Sequence, residues 1–466
     1  MSEQTPTEPS IEDNTTRTGA PFDLSPVAAA VVATAVMEPA QQVAEQIEEI
    51  NPADGAAVLQ ALSNEKAADV AEYLDPNTAG RILAQMDSLQ AAEVVTDMEI
   101  PEAGMVLGAM DPDDRVDILD HIPAPLHDLL VSEMLAEDAD EVRQLEQYPP
   151  DTAGGIMTTE VTALYEYIAV DDAIHLLRRM NEELEQMFYV YVINRRKALV
   201  GVLSMRDLIL AQPSKLLRDI MIKNVRSVPA SMDQEKVAQF MRRYGYLAAP
   251  VVDAQERLVG MITVDDVVDV LEDEATEDVQ KMFGAGAEER LSSTWQFSFS
   301  RRVWWLLVNL ITAFLAGAVV GGFEDTLSKI TALAIYMPIV AGMGGNASAQ
   351  AMAVAVRGIA LGHATRKLLW NVMYRESVVG VLTGLSVGLV TATIALLWQG
   401  DPKLGLVVGL ALTLNHTLAC TTGAGIPFVM KRLGFDPAQS ATIFATTVTD
   451  VVGFFGLFML ARFIMQ

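Results

Sequence analysis

The sequence predicts a mostly α-helical membrane protein: five transmembrane helices, a cytosolic α-helical superhelical N-terminal domain, and between them a cytosolic α+β module made of two copies of one unit. Three observations predict it. Signals for a helix start recur every twelve residues between 38 and 125. Two stretches within 153–272 share one order of strands and helices. Five apolar segments, each long enough to cross a bilayer, fill the C-terminal part of the chain. At 466 residues there is room for several domains. The expected division is a disordered tail over 1–30, the helical domain over 31–150, the paired module over 151–263, an acidic helix over 264–295 and the five-span domain over 296–466.

Residues 1–25 are rich in Ser, Thr, Pro, Glu and Asp, a composition that buries too little apolar surface to order itself. Beyond them, Asn51-Pro52, Ser63-Asn64, Asp75-Pro76, Asp87-Ser88, Glu99-Ile100 and Asp111-Pro112 mark six helix starts. Most offer a capping side chain that accepts an otherwise unpaired backbone N–H, and several place proline where no N–H is needed. Short apolar runs such as Gly80-Arg-Ile-Leu-Ala-Gln-Met86 fill the intervals. Helices of about ten residues repeated in this way stack into a superhelix, which reads as scaffold.

The next region changes character. Phe188-Tyr-Val-Tyr-Val-Ile193, Leu199-Val-Gly-Val-Leu-Ser204 and Asp207 in the first unit answer to Ala248-Ala-Pro-Val-Val-Asp253, Leu258-Val-Gly-Met-Ile-Thr263 and Asp266 in the second. Gly201-Val-Leu-Ser-Met-Arg-Asp207 and Gly260-Met-Ile-Thr-Val-Asp-Asp266 are the clearest match, and they indicate a duplication. The pattern resembles a CBS-domain pair. That resemblance implies that Ser204 with Asp207, and Thr263 with Asp266, hold a nucleotide ribose, with ATP or another adenine nucleotide as the ligand. The simpler reading of each pair is a helix N-cap at the end of a strand.

A helix rich in carboxylates follows. At helical spacing Asp266, Asp269, Asp273 and Glu277 run down one face. Like charges so close repel one another unless a cation sits among them; alone, the stretch reads as a solvated acidic helix.

The apolar spans are expected at Val303–Phe323, Ile330–Val356, Val378–Trp398, Leu404–Met430 and Ser440–Ile464. With the N-terminal part inside, eight Lys and Arg flank the inner ends and three (Lys329, Lys403, Arg462) the outer ends, in accord with the positive-inside rule. The C-terminus then lies outside the cell. From Leu291 onward eleven basic residues exceed six acidic ones, so that part carries +5 and residues 1–290 carry −34 of the total −29. An acidic soluble part disfavours nucleic acid and suits divalent cations, although acidity also serves simple solubility. The single cysteine, Cys420, lies in an apolar segment, so no intramolecular disulfide can form.

One residue carries the functional argument. Asp450 stands within the uncharged stretch Ala441–Leu460, where a carboxylate costs several kcal/mol unless it meets water, a partner or an ion. The second span, Tyr336-Met-Pro-Ile-Val-Ala-Gly-Met-Gly-Gly-Asn346-Ala-Ser-Ala-Gln350, is read as a broken helix whose glycines and proline free backbone carbonyls toward a pore. The same small residues also serve as a packing face. In the fourth span Asn415-His416-Thr417 forms a polar cluster, and His416 reads as an interhelical hydrogen-bond partner rather than a metal ligand.

Gly342-Met-Gly-Gly-Asn-Ala-Ser-Ala-Gln350, Asp436-Pro-Ala, Thr446-Thr-Val-Thr-Asp450 and Leu271-Glu-Asp-Glu-Ala-Thr-Glu-Asp278 together resemble the signatures of MgtE magnesium channels, over about residues 30–466. The resemblance implies a homodimer with one pore on the two-fold axis, lined by the second and fifth spans, including Gly344, Gly345, Asn346, Thr446 and Thr447. It implies that Asp450 of both subunits binds hydrated Mg2+ in the plasma membrane. It further implies that the linking helix plugs the inner mouth when Mg2+ occupies Asp266, Asp269, Glu274, Glu277 and Asp278, with Asp233 and Glu235 of the second module. The chain departs from the family pattern at Gly245 and Thr442, where an acid and an amide are expected, and in Glu99–Met105, where carboxylates do not align. An ion-coupled secondary transporter of divalent cations (Mg2+, Co2+, Ni2+) is the nearest alternative, and a membrane-anchored nucleotide sensor another. No nucleophile–base pair, phosphate loop or metal-hydrolase spacing supports an enzyme.

Overall fold

The computed structural model describes residues 25–180, 189–286, 289, 293–361, 366–439 and 441–465. Phe188 and Ser440, expected at the edges of a strand and a span, lie outside these, as do residues 1–24. The chain divides into two compact units, Met1–Val268 and Asp269–Gln466.

The first unit opens with ten helices: α1 Pro26–Ala35, α2 Ala40–Glu48, α3 Pro52–Gln60, α4 Asn64–Tyr73, α5 Pro76–Ala84, α6 Ser88–Asp97, α7 Ile100–Gly108, α8 Pro112–Leu119, α9 Ala124–Glu133 and α10 Ala136–Leu145. From α2 to α10 each starts twelve residues after the last, so the rhythm runs further than the six starts read from the sequence. Residues 26–30, expected in a disordered tail, are helical. Ser25 Oγ accepts the Ala28 N–H at 3.1 Å and Pro26 opens α1, which buries Ala28, Val31 and Ala35.

From α3 to α7 the fourth, fifth, seventh and eighth residues of every helix are buried. This stripe packs each helix on its next-but-one neighbour, and each fully buried Val, Leu or Ile contributes about 1.5–3 kcal/mol. Polar contacts repeat as well: Glu48 accepts the Asp75 N–H, and Glu72 accepts the Glu99 N–H two helices further on.

The module that follows holds β1 Ala163–Tyr165, α11 Val170–Met180, β2 Tyr189–Ile193, β3 Leu199–Ser204, α12 Met205–Leu210 and α13 Leu217–Ile220, then β4 Val228–Pro229, α14 Gln234–Tyr244, β5 Ala248–Val252 and β6 Leu258–Thr263. Two three-stranded sheets result, ordered β1-β2-β3 and β4-β5-β6. In each, the first pairing is parallel and the second antiparallel. Val192 faces Gly201 in one and Val251 faces Gly260 in the other, and the register shifts at the next residue in both. The duplication therefore extends to the hydrogen-bond ladder.

Helix α15, Val264–Met282, runs on from β6. The second unit then contains α16 Trp295–Gly322, a short α17 Glu324–Lys329, α18 Leu333–Ala360, α19 Arg366–Gln399, α20 Pro402–Leu433 and α21 Ala441–Met465. Five of these, α16 and α18 to α21, are long and apolar enough to cross a membrane, among the described residues. The tightest pair is α19 with α20. A Cβ at Gly380 or Gly388 would stand 2.7 or 2.6 Å from a backbone oxygen of α20, and one at Gly384 2.8 Å from Thr413 Cα. Glycine at every fourth residue thus lets two backbones meet where no side chain fits.

The second span is not broken. α18 is one continuous helix with Pro338 inside it, so its carbonyls are not released by unwinding. Pro338 falls within the first two turns, where the missing N–H disturbs the ladder least.

Candidate functional site

The membrane unit encloses a cavity of ≈ 920 Å³. Its walls come from single faces of three helices: Arg302, Trp305, Leu306 and Asn309 of α16; Gly342, Gly345, Asn346 and Ala349 of α18; Thr442, Thr446 and Asp450 of α21. The first two sets follow the spacing i, i+3, i+4, i+7 and the third i, i+4, i+8, spacings that align side chains on one helical face. Phe283, Gly284 and Ala285, just past α15, complete the lining.

Among the described lining residues Asp450 is the one acid and Arg302 the one base. The remaining polar groups are neutral and hydroxyl- or amide-bearing. Thr446 Oγ1 donates to its own helix at Thr442 O, 2.9 Å away, which leaves its oxygen lone pairs for other donors.

Of the sequence-predicted pore residues, Asp450, Gly345, Asn346 and Thr446 therefore line the cavity. Gly344 is placed behind the wall, where an added Cβ would stand 2.4 Å from Asn415 Nδ2. Thr447 returns its hydroxyl to Ile443 O at 2.6 Å and is not in the lining.

The polar cluster of α20 works differently from its sequence reading. His416 Nδ1 meets Leu412 O at 2.9 Å, one turn back on the same helix, so the contact is not interhelical. Asn415 is the residue that crosses: its Nδ2 donates to Val340 O of α18 at 2.9 Å. It lies in a notch between Gly344 of α18 and Gly453 of α21. Asn415 thereby fixes the two cavity helices against α20 from behind. The signal was present as an asparagine in an apolar span, but its α18 hydrogen-bond partner, Val340, is 75 residues away and unforeseeable from spacing.

The end of α15 is tied to the cavity mouth. Thr442 Oγ1 donates to Met282 O, the final residue of that helix. Lys281 forms ion pairs with Glu277 and with Asp436 Oδ2, the latter at 2.9 Å. Burial opposes its charge, yet the two carboxylates hold the ammonium above the ordinary lysine range. Lys281 continues the stripe of Asp266, Asp269, Asp273 and Glu277 by one more turn, so the acidic face ends in a base. Along that helix Asp269 and Asp273 are exposed, while Asp266, Glu274, Glu277 and Asp278 are half-buried.

Within the first unit, Asp113 and Asp114 of α8 stand among carboxylates that include Asp266. Burial, then the Asp266 charge, holds the Asp113 carboxyl well above the ordinary carboxylate range. The same two causes, with Asp111, Asp117 and Asp265, push Asp114 up to about 8. Asp113 Oδ1 is buried and has no hydrogen-bond partner among the described residues. These acids were not singled out from the sequence. They look like ordinary first-turn acids at a helix N-terminus, and only the approach of α15 gives them neighbours of like charge.

The other predicted residues have local partners. Asp233 caps α14, accepting the Lys236 N–H at 3.3 Å, and Glu235 accepts from Gln239 at 3.2 Å. Ser204 Oγ donates to Asp207 at 2.7 Å and accepts the Asp207 N–H; Thr263 Oγ1 donates to Asp266. Gly245 ends α14 in the left-handed conformation, φ 65°, which accounts for glycine there in steric terms. Among the described residues no group of three or more His, Cys, Asp or Glu side chains forms a ready metal site.

Comparison with known proteins places this arrangement. Residues 337–460 match the MgtE divalent cation transporter family, residues 50–151 the MgtE intracellular N domain, and residues 153–214 and 217–273 CBS domains. The chain is 36% identical over 330 residues to the magnesium transporter MgtE of Bacillus subtilis (strain 168), covering 70% of this chain and 73% of that one. It is 37% identical over 332 residues to the magnesium transporter MgtE of Thermus thermophilus, with 70% and 73% covered. A crystal structure of the cytosolic domain of the Mg2+ channel MgtE in complex with ATP superposes with TM-score 0.50 and 32% identity, over 52% of this chain and 99% of that one.

Proposed function

The chain belongs to the MgtE family of magnesium transporters, a family of transporters and not of enzymes, and on that premise we propose that it is a channel for Mg2+ whose conduction is shut by Mg2+ on the cytosolic side. It is a multi-pass membrane protein with its N-terminal unit in the cytosol. The C-terminus is then extracytoplasmic, an orientation that the flanking charges favour.

The observation that carries the reading is the cavity wall itself. A single carboxylate, Asp450, faces a space lined by the hydroxyls of Thr442 and Thr446, the amides of Asn309 and Asn346, small residues, the apolar Phe283, Trp305 and Leu306, and one base, Arg302. Mg2+ binds hard oxygen ligands and gives up its water reluctantly. A site that supplies one charge per chain and many hydrogen-bonding groups suits an ion that keeps its hydration shell. Three helices of one chain wall the cavity, and a second copy on a two-fold axis supplies the opposite wall and a second Asp450, making the conducting unit a homodimer. The test is ion entry into proteoliposomes, with Mg2+, Mn2+, Co2+ and Ni2+ offered in turn and Asp450→Asn beside the wild type. Equal Mg2+ entry in the two proteins, or entry only with a proton or sodium gradient, would sink the channel reading.

Closure follows from charge. Asp113, Asp114 and Asp266 resist ionising together, and Asp269, Glu274, Glu277 and Asp278 extend the same problem along α15. Mg2+ bound by acids of this set offsets their repulsion and favours the closed state, and the end of α15 is at the mouth, where Phe283 and Gly284 line the cavity. Asp233 and Glu235, at the start of α14, belong to the proposed set as well.

A nucleotide reading attaches to the first copy of the module. Both Ser/Thr–Asp pairs are formed, but Asp207 is exposed whereas Asp266 faces the acids of α8. ATP or another adenine nucleotide is therefore assigned to Ser204 and Asp207, in keeping with the ATP complex of the related cytosolic domain.

A further inference from the structure

The cation pathway contains a fixed positive charge that its transport role does not call for. Arg302 projects from α16 into the same cavity as Asp450. Taken alone it would cancel the one acid each chain contributes there, leaving nothing to draw a divalent cation in. The structure supplies a third group. Glu289, between α15 and α16, binds the guanidinium in two places, at Arg302 Nε (2.9 Å) and at Arg302 Nη2. The carboxylate side chain is 6% exposed and the guanidinium side chain 58% exposed, so the acid sits behind the base and the base faces the open space. Glu289 is itself held in place, its backbone oxygen accepting from Gln280 Nε2 at 2.8 Å.

We propose that Glu289 is a positioning and charge-setting residue for cation entry: it neutralises Arg302 and so keeps the cavity net negative by the full charge of Asp450. The pair confers what neither residue gives alone. Arg302 gains a fixed, bidentate orientation that keeps the guanidinium plane against the wall, and the cavity keeps one uncompensated negative charge per chain. The proposal rests on the reading of this cavity as the ion path.

The experiment is Mg2+ entry into proteoliposomes carrying the full-length protein, measured at low and high monovalent salt, for wild type, Glu289→Gln, the double variant Glu289→Gln with Arg302→Gln, and Asp450→Asn. One exposed unit charge acting at about 10 Å through water changes the local concentration of a divalent ion about four-fold. Glu289→Gln should therefore lower entry about four-fold at low salt. The deficit should shrink at high salt, where the screening length falls to a few Å, and the double variant should return to near the wild-type rate. A deficit indifferent to salt, a deficit not rescued by Arg302→Gln in protein that assembles as the wild type does, or no deficit at all would each overturn the proposal. Should Glu289→Gln fail to assemble, Arg302→Gln alone decides: it leaves the acid uncovered and should raise entry at low salt, and unchanged or lower entry counts against the idea. Normal entry in Glu289→Gln beside lost entry in Asp450→Asn would remove this inference while leaving the transport reading intact.

Discussion

Asp450 and the Asp113–Asp114–Asp266 group solve opposite problems with the same side chain. Asp450 is the one acid lining its cavity among the described residues, with neutral hydroxyls and amides and one base, Arg302, in the same lining. The acids at α8 are buried and crowded, and burial, then the Asp266 charge, holds the Asp113 and Asp114 carboxyls above the ordinary carboxylate range. A lone acid attracts a hydrated ion and lets it leave, which is what passage requires. A crowd of acids is uncomfortable empty and responds steeply when a cation arrives, which is what sensing requires. On the proposed function, the number of neighbouring charges, and not the residue type, separates a passage site from a sensing one.

This contrast can be broken in several ways. The largest effect is expected at the solitary site. A unit charge about 4 Å from a divalent ion, at an effective dielectric near 20, is worth about 8 kcal/mol, so Asp450→Asn should cut Mg2+ entry by roughly a hundred-fold or more at every internal Mg2+ concentration. Neutralising the crowded side should do the reverse. Asp266→Asn, Asp269→Asn and Glu274→Gln combined should leave patch currents flowing at internal Mg2+ that silences the wild type; normal closure would dissolve the distinction.

The pH dependence is smaller and has a fixed sign. Asp114 is raised from its ordinary 3.8 to about 8, so its contribution to the compact metal-free contact is fully present below about pH 3.8 and is lost as pH rises through about 8. Without divalent cations, the N-terminal unit should be more readily cut by trypsin at pH 8 than at pH 6. Mg2+ should restore resistance at pH 8, and at pH 6 more Mg2+ should be needed to bind, by up to about ten-fold per pH unit because the site must first lose a proton. Asp114→Asn should flatten both trends. The smallest effect concerns the two copies of the module. Asp207→Ala should abolish ATP binding measured by calorimetry, and Thr263→Ala should leave it within about two-fold, because that copy's aspartate serves the acidic contact instead.

Much of this architecture was legible because it is local or periodic. Twelve-residue spacing, the Gly201–Asp207 and Gly260–Asp266 pair, and long apolar spans all live in sequence-adjacent signals. What escaped were features that depend on contacts between distant segments. Asp113 and Asp114 resemble helix-start acids until Asp266 faces them. Asn415 and His416 are neighbours in sequence, yet one crosses to Val340 and the other turns back on Leu412, according to which face of α20 each occupies. The glycines and proline of α18 suggest a break, whereas the helix is continuous, with Pro338 in its first two turns, Gly344 packed closely against Asn415, and Gly342 and Gly345 lining the cavity. Lys281 was hidden by the acids before it, since its partner Asp436 lies 155 positions on, a distance no helical spacing bridges.

The helical stack has one more consequence, for how the chain comes into being. Its helices touch next and next-but-one neighbours, so nearly every link closes within a few dozen positions. Low contact order of this kind favours rapid acquisition of structure. During synthesis the stack can be complete while the pore helices are still inside the ribosome, so a translating chain presents the bilayer machinery with a finished globule followed by greasy segments, rather than one long adhesive polymer.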